Sequence, residues 1–144
     1  MNNLAYVHQS QNNYLQAESL FKKALKGRVL ALGDDHPKTI ESLNSLAGNY
    51  EYQERYEDAE YLYIEALTTS RIVLGDDHLD TLTTMYHLAR LYSELGQYEN
   101  ADLLYTEAVI GFRSSLGEDH PNTLTSKNNL AMLYRAQGLS LIHI

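Results

Sequence analysis

The chain has 144 residues, the size of one domain, with a net charge of −8 and no cysteine. The acidic balance excludes a basic nucleic-acid face and attraction to an anionic membrane, and the missing thiols exclude a disulfide frame, a thiolate nucleophile and a cysteine-ligated zinc. No apolar run reaches the roughly 18 residues of a membrane span, and the first 15 residues lack the basic start and apolar block of a signal peptide. A cytoplasmic protein without membrane insertion is therefore expected.

One stretch recurs. Leu32-Gly33-Asp34-Asp35-His36-Pro37 returns as Leu74 to Leu79 and as Leu116 to Pro121, 42 residues apart each time. A fixed period of this length is the mark of a repeat array. It divides the chain into a partial unit 1–38, full units 39–80 and 81–122, and a partial unit 123–138, followed by an off-pattern tail 139–144.

Laying one unit on the next gives two apolar stripes. The first runs through Met1/Leu43/Met85, Leu4/Leu46/Leu88/Leu130, Ala5/Ala47/Ala89/Ala131 and His8/Tyr50/Tyr92/Tyr134. That spacing is one face of a helix. The second runs through Tyr14/Tyr56/Tyr98, Ala17/Ala59/Ala101, Phe21/Tyr63/Tyr105, Ala24/Ala66/Ala108 and Leu25/Leu67/Val109, again with a period of 3.6. Alanines let helix backbones approach, and the rings fill the grooves beside them. Tyr98→Ala is thus expected to cost roughly 3–5 kcal/mol. In chain order the spacing predicts a first helix over 1–10 and its partner over 13–31. Further pairs follow over 37–52 and 55–73, and over 79–94 and 97–115, with a last helix over 121–137.

The turns carry their own signals. Gly96 and Gly138 suit a left-handed cap after the first helix of a pair, and Asn12 tolerates it. Glu54 holds that place in the second unit, where strain is expected. In the recurring loop, Leu32, Leu74 and Leu116 should finish the stripe and Gly33, Gly75 and Gly117 should reverse the chain. Asp35, Asp77 and Asp119 are expected to cap the next helix, with Pro37 and Pro121 in its first turn. Lys127 in an otherwise apolar column marks the last helix as less buried.

The columns Leu-Ala-x-x-Tyr and Tyr-x-x-Ala, followed by an aromatic and a further alanine, resemble the tetratricopeptide repeat. The 42-residue period and the Leu-Gly-Glu/Asp-Asp-His-Pro loop resemble its kinesin light chain type. Ala24-Leu25 through Pro37, Ala108-Val109 through Pro121 and Asn128-Asn129-Leu130-Ala131 carry the likeness over residues 1–138. It implies an all-α fold: a right-handed α-solenoid of antiparallel helix pairs, about seven helices long. The pattern fails at both ends, where Met1 falls inside a helix and Ser140 and His143 replace an expected aromatic and alanine. A piece of a longer array is therefore expected; the other reading is a short tail that packs as a cap.

No catalytic or metal chemistry is expected. His36, His78 and His120 hold equivalent loop positions, and stacked helices about 10 Å apart would keep them from sharing an ion bound at about 2 Å. His87 is expected on an open helix face and His8 in the buried tyrosine column. The paired acids recur as a loop motif and do not converge on one site. The calcium-loop, phosphate-loop and nucleophile-elbow patterns are absent. An enzyme and a cofactor are thus not expected.

The resemblance implies a concave face lined by the first helix of each pair. The positions left for it are Asn2/Asn44/Tyr86/Asn128, Asn3/Ser45/His87/Asn129, Tyr6/Gly48/Arg90/Met132 and Gln9/Glu51/Ser93/Arg135. Asparagine is a poor helix former, so its recurrence wants a reason; in such families it hydrogen-bonds the backbone of an extended peptide. The bland reading is a solvated helix face or an inter-helix hydrogen bond. A clamp for a C-terminal carboxylate is missing, since Asn2, Tyr6, Ser45, Thr83 and His87 stand at its positions. Kinesin light chains read acidic, tryptophan-containing peptides with a basic groove; here Arg90, Arg135 and Lys127 lie among Glu41, Glu51 and Glu94, a mixed field. Candidate groove residues are Asn2, Asn44, Tyr86, His87, Arg90, Asn128, Asn129 and Arg135. The expectation is a non-catalytic scaffold that binds a protein or peptide segment in the groove, as part of a larger adaptor. The alternatives are a structural subunit held by its convex face or by association through exposed array ends, and a regulatory array of a multidomain protein.

Overall fold

The computed structural model describes residues 4–7 and 13–142, with side chains through residue 138. Expectations resting on Met1, Asn2, Asn3, His8, Gln9, Asn12 and His143 lie outside the described residues. Seven helical segments and no strand occur among those described. They are α1 (4–7), α2 (Tyr14–Leu32), α3 (Pro37–Tyr52), α4 (Tyr56–Val73), α5 (Leu79–Glu94), α6 (Tyr98–Leu116) and α7 (Pro121–Ile142). They form two compact units, Met1–Val73 and Leu74–Ile144.

In the first unit α2 packs on α3 and α3 on α4. Phe21 and Tyr63 are fully buried, as are Ala17, Ala47, Ala59 and Ala66 of the two stripes. The Tyr6 ring meets Phe21 edge-on at 5.1 Å, and Tyr14 stacks on Tyr52 at 5.4 Å. A polar network ties the end of α3 to α2. The Glu18 carboxylate accepts from Gln53 Nε2 at 3.0 Å and Arg55 at 2.9 Å, and pairs with Lys22 at 2.6 Å. Arg55 also lies 4.2 Å over the Tyr50 ring, and Asn49 Nδ2 donates to the Tyr14 carbonyl at 3.1 Å.

In the second unit α5 packs on α6, α6 on α7, and α5 also touches α7. Ala89, Ala101, Tyr105 and Leu133 form a buried cluster, with Tyr86, Tyr92, Tyr98, Leu104 and Leu130 against it. Gly111 is required by packing: a Cβ there would stand 2.3 Å from Leu82 Cδ2. The last helix is the less buried one, as Lys127 signals; Tyr134 is half open, and Ala131 is exposed where Ala47 and Ala89 are fully buried.

The turns within the pairs α3–α4 and α5–α6 follow one pattern. Arg55 N–H reaches the Tyr50 carbonyl and Glu54 N–H the Glu51 carbonyl; Gln97 and Gly96 repeat this with Tyr92 and Ser93. This is the Schellman arrangement, whose penultimate residue takes a positive φ. Gly96 does so at 78°, and Glu54 does so at 59°, among the described residues the one non-glycine with positive φ.

Several expectations are corrected. The helix caps are histidines and not aspartates. His36, His78 and His120 accept at Nδ1 from the amides of Lys38, Asp80 and Asn122, each at 3.1 Å. Extended backbone at His36 (φ −75°, ψ 140°) swings the ring over the second helical amide, and Asp35 stands one residue too early. Gly138 caps nothing: α7 runs through it to Ile142. Leu32 does not finish the stripe but is 46% exposed. Tyr14, Tyr56 and Tyr98 are only half-buried, and the deep rings are Phe21, Tyr63 and Tyr105, further along the same stripe.

The loop glycines behave as expected in all three copies, with φ of 91° at Gly33, 95° at Gly75 and 94° at Gly117. Gly33 (φ 91°, ψ 166°) and Gly117 (φ 94°, ψ 165°) hold a conformation open essentially to glycine alone. Each carbonyl accepts from a threonine hydroxyl on the next helix, Thr39 at 2.7 Å and Thr123 at 2.8 Å. Before α5, the His78 amide takes the Gly75 carbonyl at 3.4 Å, and buried Thr81 Oγ1 has no hydrogen-bond partner among the described residues.

Candidate functional site

Helical spacing places Thr83, Tyr86, His87 and Arg90 on one face of α5, and Asn122, Thr125, Ser126 and Asn129 on the matching face of α7. The two faces meet. Asn129 Nδ2 donates to Tyr86 Oη at 3.2 Å and to the Thr125 carbonyl, one turn back, at 2.8 Å. Tyr86 is held edge-on against Tyr105 at 6.0 Å and against His87 at 5.6 Å. Between the faces lies a half-open cavity of about 230 Å³, lined by Thr83, Tyr86, His87, Asn122, Thr125 and Ser126, with Phe112 of α6 beneath.

The electrostatics of this site are those of a neutral, partly dry surface. Burial, with the nearby Arg90 charge adding, pulls His87 down to about 4, so its imidazole is neutral at pH 7. Burial likewise pushes the Tyr105 hydroxyl above its ordinary value. Arg90 itself pairs with Glu94 at 3.8 Å, one turn along α5. None of the seven lining side chains carries a charge at neutral pH.

Of the eight residues singled out in the sequence, the structure brings Tyr86, His87 and Asn129 together, with Arg90 beside them. Asn128, the preceding residue on α7, takes no part in that contact, and Arg135 is exposed nearly two turns on. Asn44 lies half-buried on α3 in the first unit, next to Ser45, whose hydroxyl is 2.6 Å from Tyr6 Oη. Asn2 lies outside the described residues. His87, expected on an open face, is half-buried. Phe112, the cavity floor, was not foreseen. Its column reads Arg28/Ser70/Phe112, and this change of chemistry at a fixed repeat position was the available signal. No group of three or more His, Asp or Glu able to hold a metal ion occurs among the described residues.

The profile described as tetratricopeptide repeat matches residues 1–71 and again 44–113. The chain belongs to the tetratricopeptide repeat family. Its repeats are of the kinesin light chain type. A crystal structure from Podosopora anserina, of nearly identical TPR-like repeats named for the kinesin light chain, is similar at 26% identity and a TM-score of 0.87. The match covers 95% of this chain and 65% of that one. A variant of those repeats with one glutamine replaced by methionine matches equally well. BtubC (BKLC) from P. vanneervenii is similar at 28% identity and a TM-score of 0.85, over 93% of this chain and 53% of that one. This chain thus spans about two thirds and about half of their lengths. No curated protein matches it. The fold is an all-α helical repeat solenoid, a non-catalytic interaction fold, and tetratricopeptide repeats generally mediate protein–protein interaction. No described helix is long and apolar enough to cross a membrane.

Proposed function

We propose that this chain is the non-catalytic interaction module of a larger cytoplasmic adaptor, binding a segment of a partner protein on the faces of the first helices of its pairs. The observation that carries the reading is the α5–α7 face, where Tyr86 and Asn129 are locked to each other beside an open cavity. A face held by contacts within the protein keeps the entropy cost of binding low. Asn128 is exposed on α7, and its amide is able to donate to and accept from a peptide backbone. The test is a pull-down from the source extract with the natural chain and with Asn44→Ala/Asn128→Ala, read by mass spectrometry. Partners lost with the double variant support recognition on these faces. Identical partners with both chains move the weight to a second reading.

That second reading is a structural subunit held by its outer helices. It rests on large apolar side chains in the open on the second helix of each pair: Tyr61 and Ile72 on α4 are 72% and 80% exposed, and Leu103 on α6 is 72% exposed. Tyr61→Ser and Leu103→Ser would then abolish assembly while the asparagine variant leaves it intact.

A further inference from the structure

Within the first unit, the outer faces of α2 and α4 carry opposite charge on the same frame. Turned away from the core, α2 shows Leu15, Lys22, Lys23, Lys26 and Leu30, all exposed; 42 residues on, α4 shows Glu57, Ile64, Glu65, Thr68 and Ile72, also all exposed. Offsets of 7, 8, 11 and 15 trace one stripe along a helix. Over its whole length α2 has four cations, Lys22, Lys23, Lys26 and Arg28, against the one acid Glu18. The balance on α4 is inverted: Glu57, Asp58, Glu60 and Glu65 stand against the one cation Arg71. Lys22 is held by Glu18, but Lys23, Lys26 and Glu65 form no ion pair among the described residues. Large apolar side chains flank the charges on both helices. Leu15 and Leu30 are 74% and 78% exposed, matching the open Ile64 and Ile72 of α4.

We infer that a second copy of this chain docks on this face, with α2 of each copy lying along α4 of the other in a two-fold symmetric dimer. The inference rests on the second reading above, that the outer helices hold the chain in an assembly, and it names the partner. Equivalent helices that both pack on α3 and open the same columns look the same way. A two-fold axis running along them and between them therefore sets α2 on α4 of the second copy, pointing in the same direction. Each α2 residue then faces the residue 42 positions later in the other copy. Lys23 meets Glu65, Lys26 stands one turn from that carboxylate beside Thr68, and Leu30 meets Ile72. Every contact is made twice. The other two-fold arrangement, α2 on α2 and α4 on α4, sets like charges together and is disfavoured. A foreign acidic partner would cover α2 and leave the acidic, apolar face of α4 open; a second copy covers both. Helices of 19 and 18 residues are about 28 Å long, and the two faces offer about 560 Å² per copy, about 1,100 Å² in the dimer. That is the lower end of specific interfaces, so the dimer forms and parts with concentration.

The test is sedimentation equilibrium of the whole chain across the micromolar to millimolar range. The expected mass rises from 16.4 kDa toward twice that value, less so at high salt. Lys23→Glu/Lys26→Glu and Glu65→Lys/Thr68→Lys change only exposed positions, and an unchanged circular-dichroism spectrum and Tm certify each fold. Either variant alone should dimerise about tenfold more weakly or worse, because like charges then face each other. Mixed together, the two variants restore opposite charges at both contacts, and a mixed dimer should form within about threefold of the natural affinity. A natural chain that stays monomeric, an association indifferent to either variant, or a mixture that fails to pair overturns the dimer. If the chain is monomeric but captures a protein from the source extract that is lost on Lys23→Glu/Lys26→Glu, the occupant is a foreign acidic partner and the dimer is likewise overturned. If it is monomeric and Tyr61→Ser and Leu103→Ser still remove a captured partner, the outer-helix reading survives without the dimer; if no variant removes any partner, both fail.

Discussion

Asn49 in the first unit and Leu91 and Leu133 in the second occupy the same repeat position, and all three are buried. Around Asn49 the first unit builds a charged clasp. Glu18 gathers Lys22, Gln53 and Arg55, and Arg55 lies over Tyr50 and bonds Asp58. At the positions of Glu18 and Asn49 the second unit has Asp102, which accepts from Tyr134 and Thr106 at its rim, and the two leucines. The helical frame is the same, so the backbone does not dictate how the joint is filled. A polar joint fixes geometry through several directional bonds. An apolar joint fixes it through volume, and it leaves a neutral surface nearby on which a ligand can act.

The largest expected effect tests what the two units share. Tyr63 and Tyr105 are 1% and 2% exposed. Tyr105→Ala should cost about 3–5 kcal/mol and Tyr63→Ala a similar amount. Tyr98→Ala, at a half-buried ring, should cost clearly less than either. Urea midpoints of the three variants decide it, and a Tyr98 loss equal to the Tyr105 loss would contradict this burial pattern.

The next effect separates the units. Glu18→Ala strands Arg55 and Lys22 and leaves Gln53 short of an acceptor. Losing one partner of a buried pair costs about 3–5 kcal/mol; the cations here are half in water, so about 2–3 is expected. Its counterpart Asp102→Ala should cost under about 1 kcal/mol. Equal losses would mean that the clasp adds nothing. Burial opposes ionisation of Glu18, but hydrogen bonds from Lys22 and Gln53 and the charges of Lys22 and Arg55 outweigh it and lower its pKa. The clasp is therefore intact above the ordinary carboxylate value and is lost as pH falls through the lowered one.

The second unit should feel acid earlier. The folded His87 value is about 4 against an ordinary 6.5, so between those pH values the unfolded chain binds the extra proton. Stability conferred by His87 is complete above about 6.5 and drains away as pH falls toward 4. One pKa unit is about 1.4 kcal/mol; the ring is partly wet, which reduces the loss to about 1–2 kcal/mol. Amide hydrogen exchange at pH 7, 5.5 and 4.5 can follow each unit separately. His87→Gln should remove the decline from the second unit and leave the first untouched.

Much of the fold was legible because each column was written out three or four times. Ala17/Ala59/Ala101 and Phe21/Tyr63/Tyr105 identified helix, period and core at once, and α3 and α5 fall where spacing placed them. What the columns could not carry was anything decided by reach across helices. The capping histidines were visible as a repeat, but choosing Asp35 over His36 turned on a one-residue offset that only ψ resolves. The Tyr86–Asn129 contact joins residues 43 apart. Both were expected on the concave face, but the sequence could not show that they touch, or that Phe112 lines the cavity beside them.

The smallest expected effect returns to the turns, where the units differ by one residue. Glu54 and Gly96 close the same Schellman turn with the same amides reaching the same carbonyls, at φ 59° and 78°. A side chain at positive φ crowds its own carbonyl, at about 1 kcal/mol or more for a β-carbon residue. Glycine avoids that crowding but gives the unfolded chain more freedom to lose. The first term is the larger, so Glu54→Gly should stabilise the first unit by about 0.5–1 kcal/mol, and Gly96→Glu should destabilise the second by a similar amount. The side chain of Glu54 is exposed, so no lost packing offsets the gain. Measured as opposite shifts of urea midpoint, the pair isolates backbone strain from everything else that distinguishes the two units. A fall in midpoint for both variants would mean that Glu54 is held by something other than its backbone.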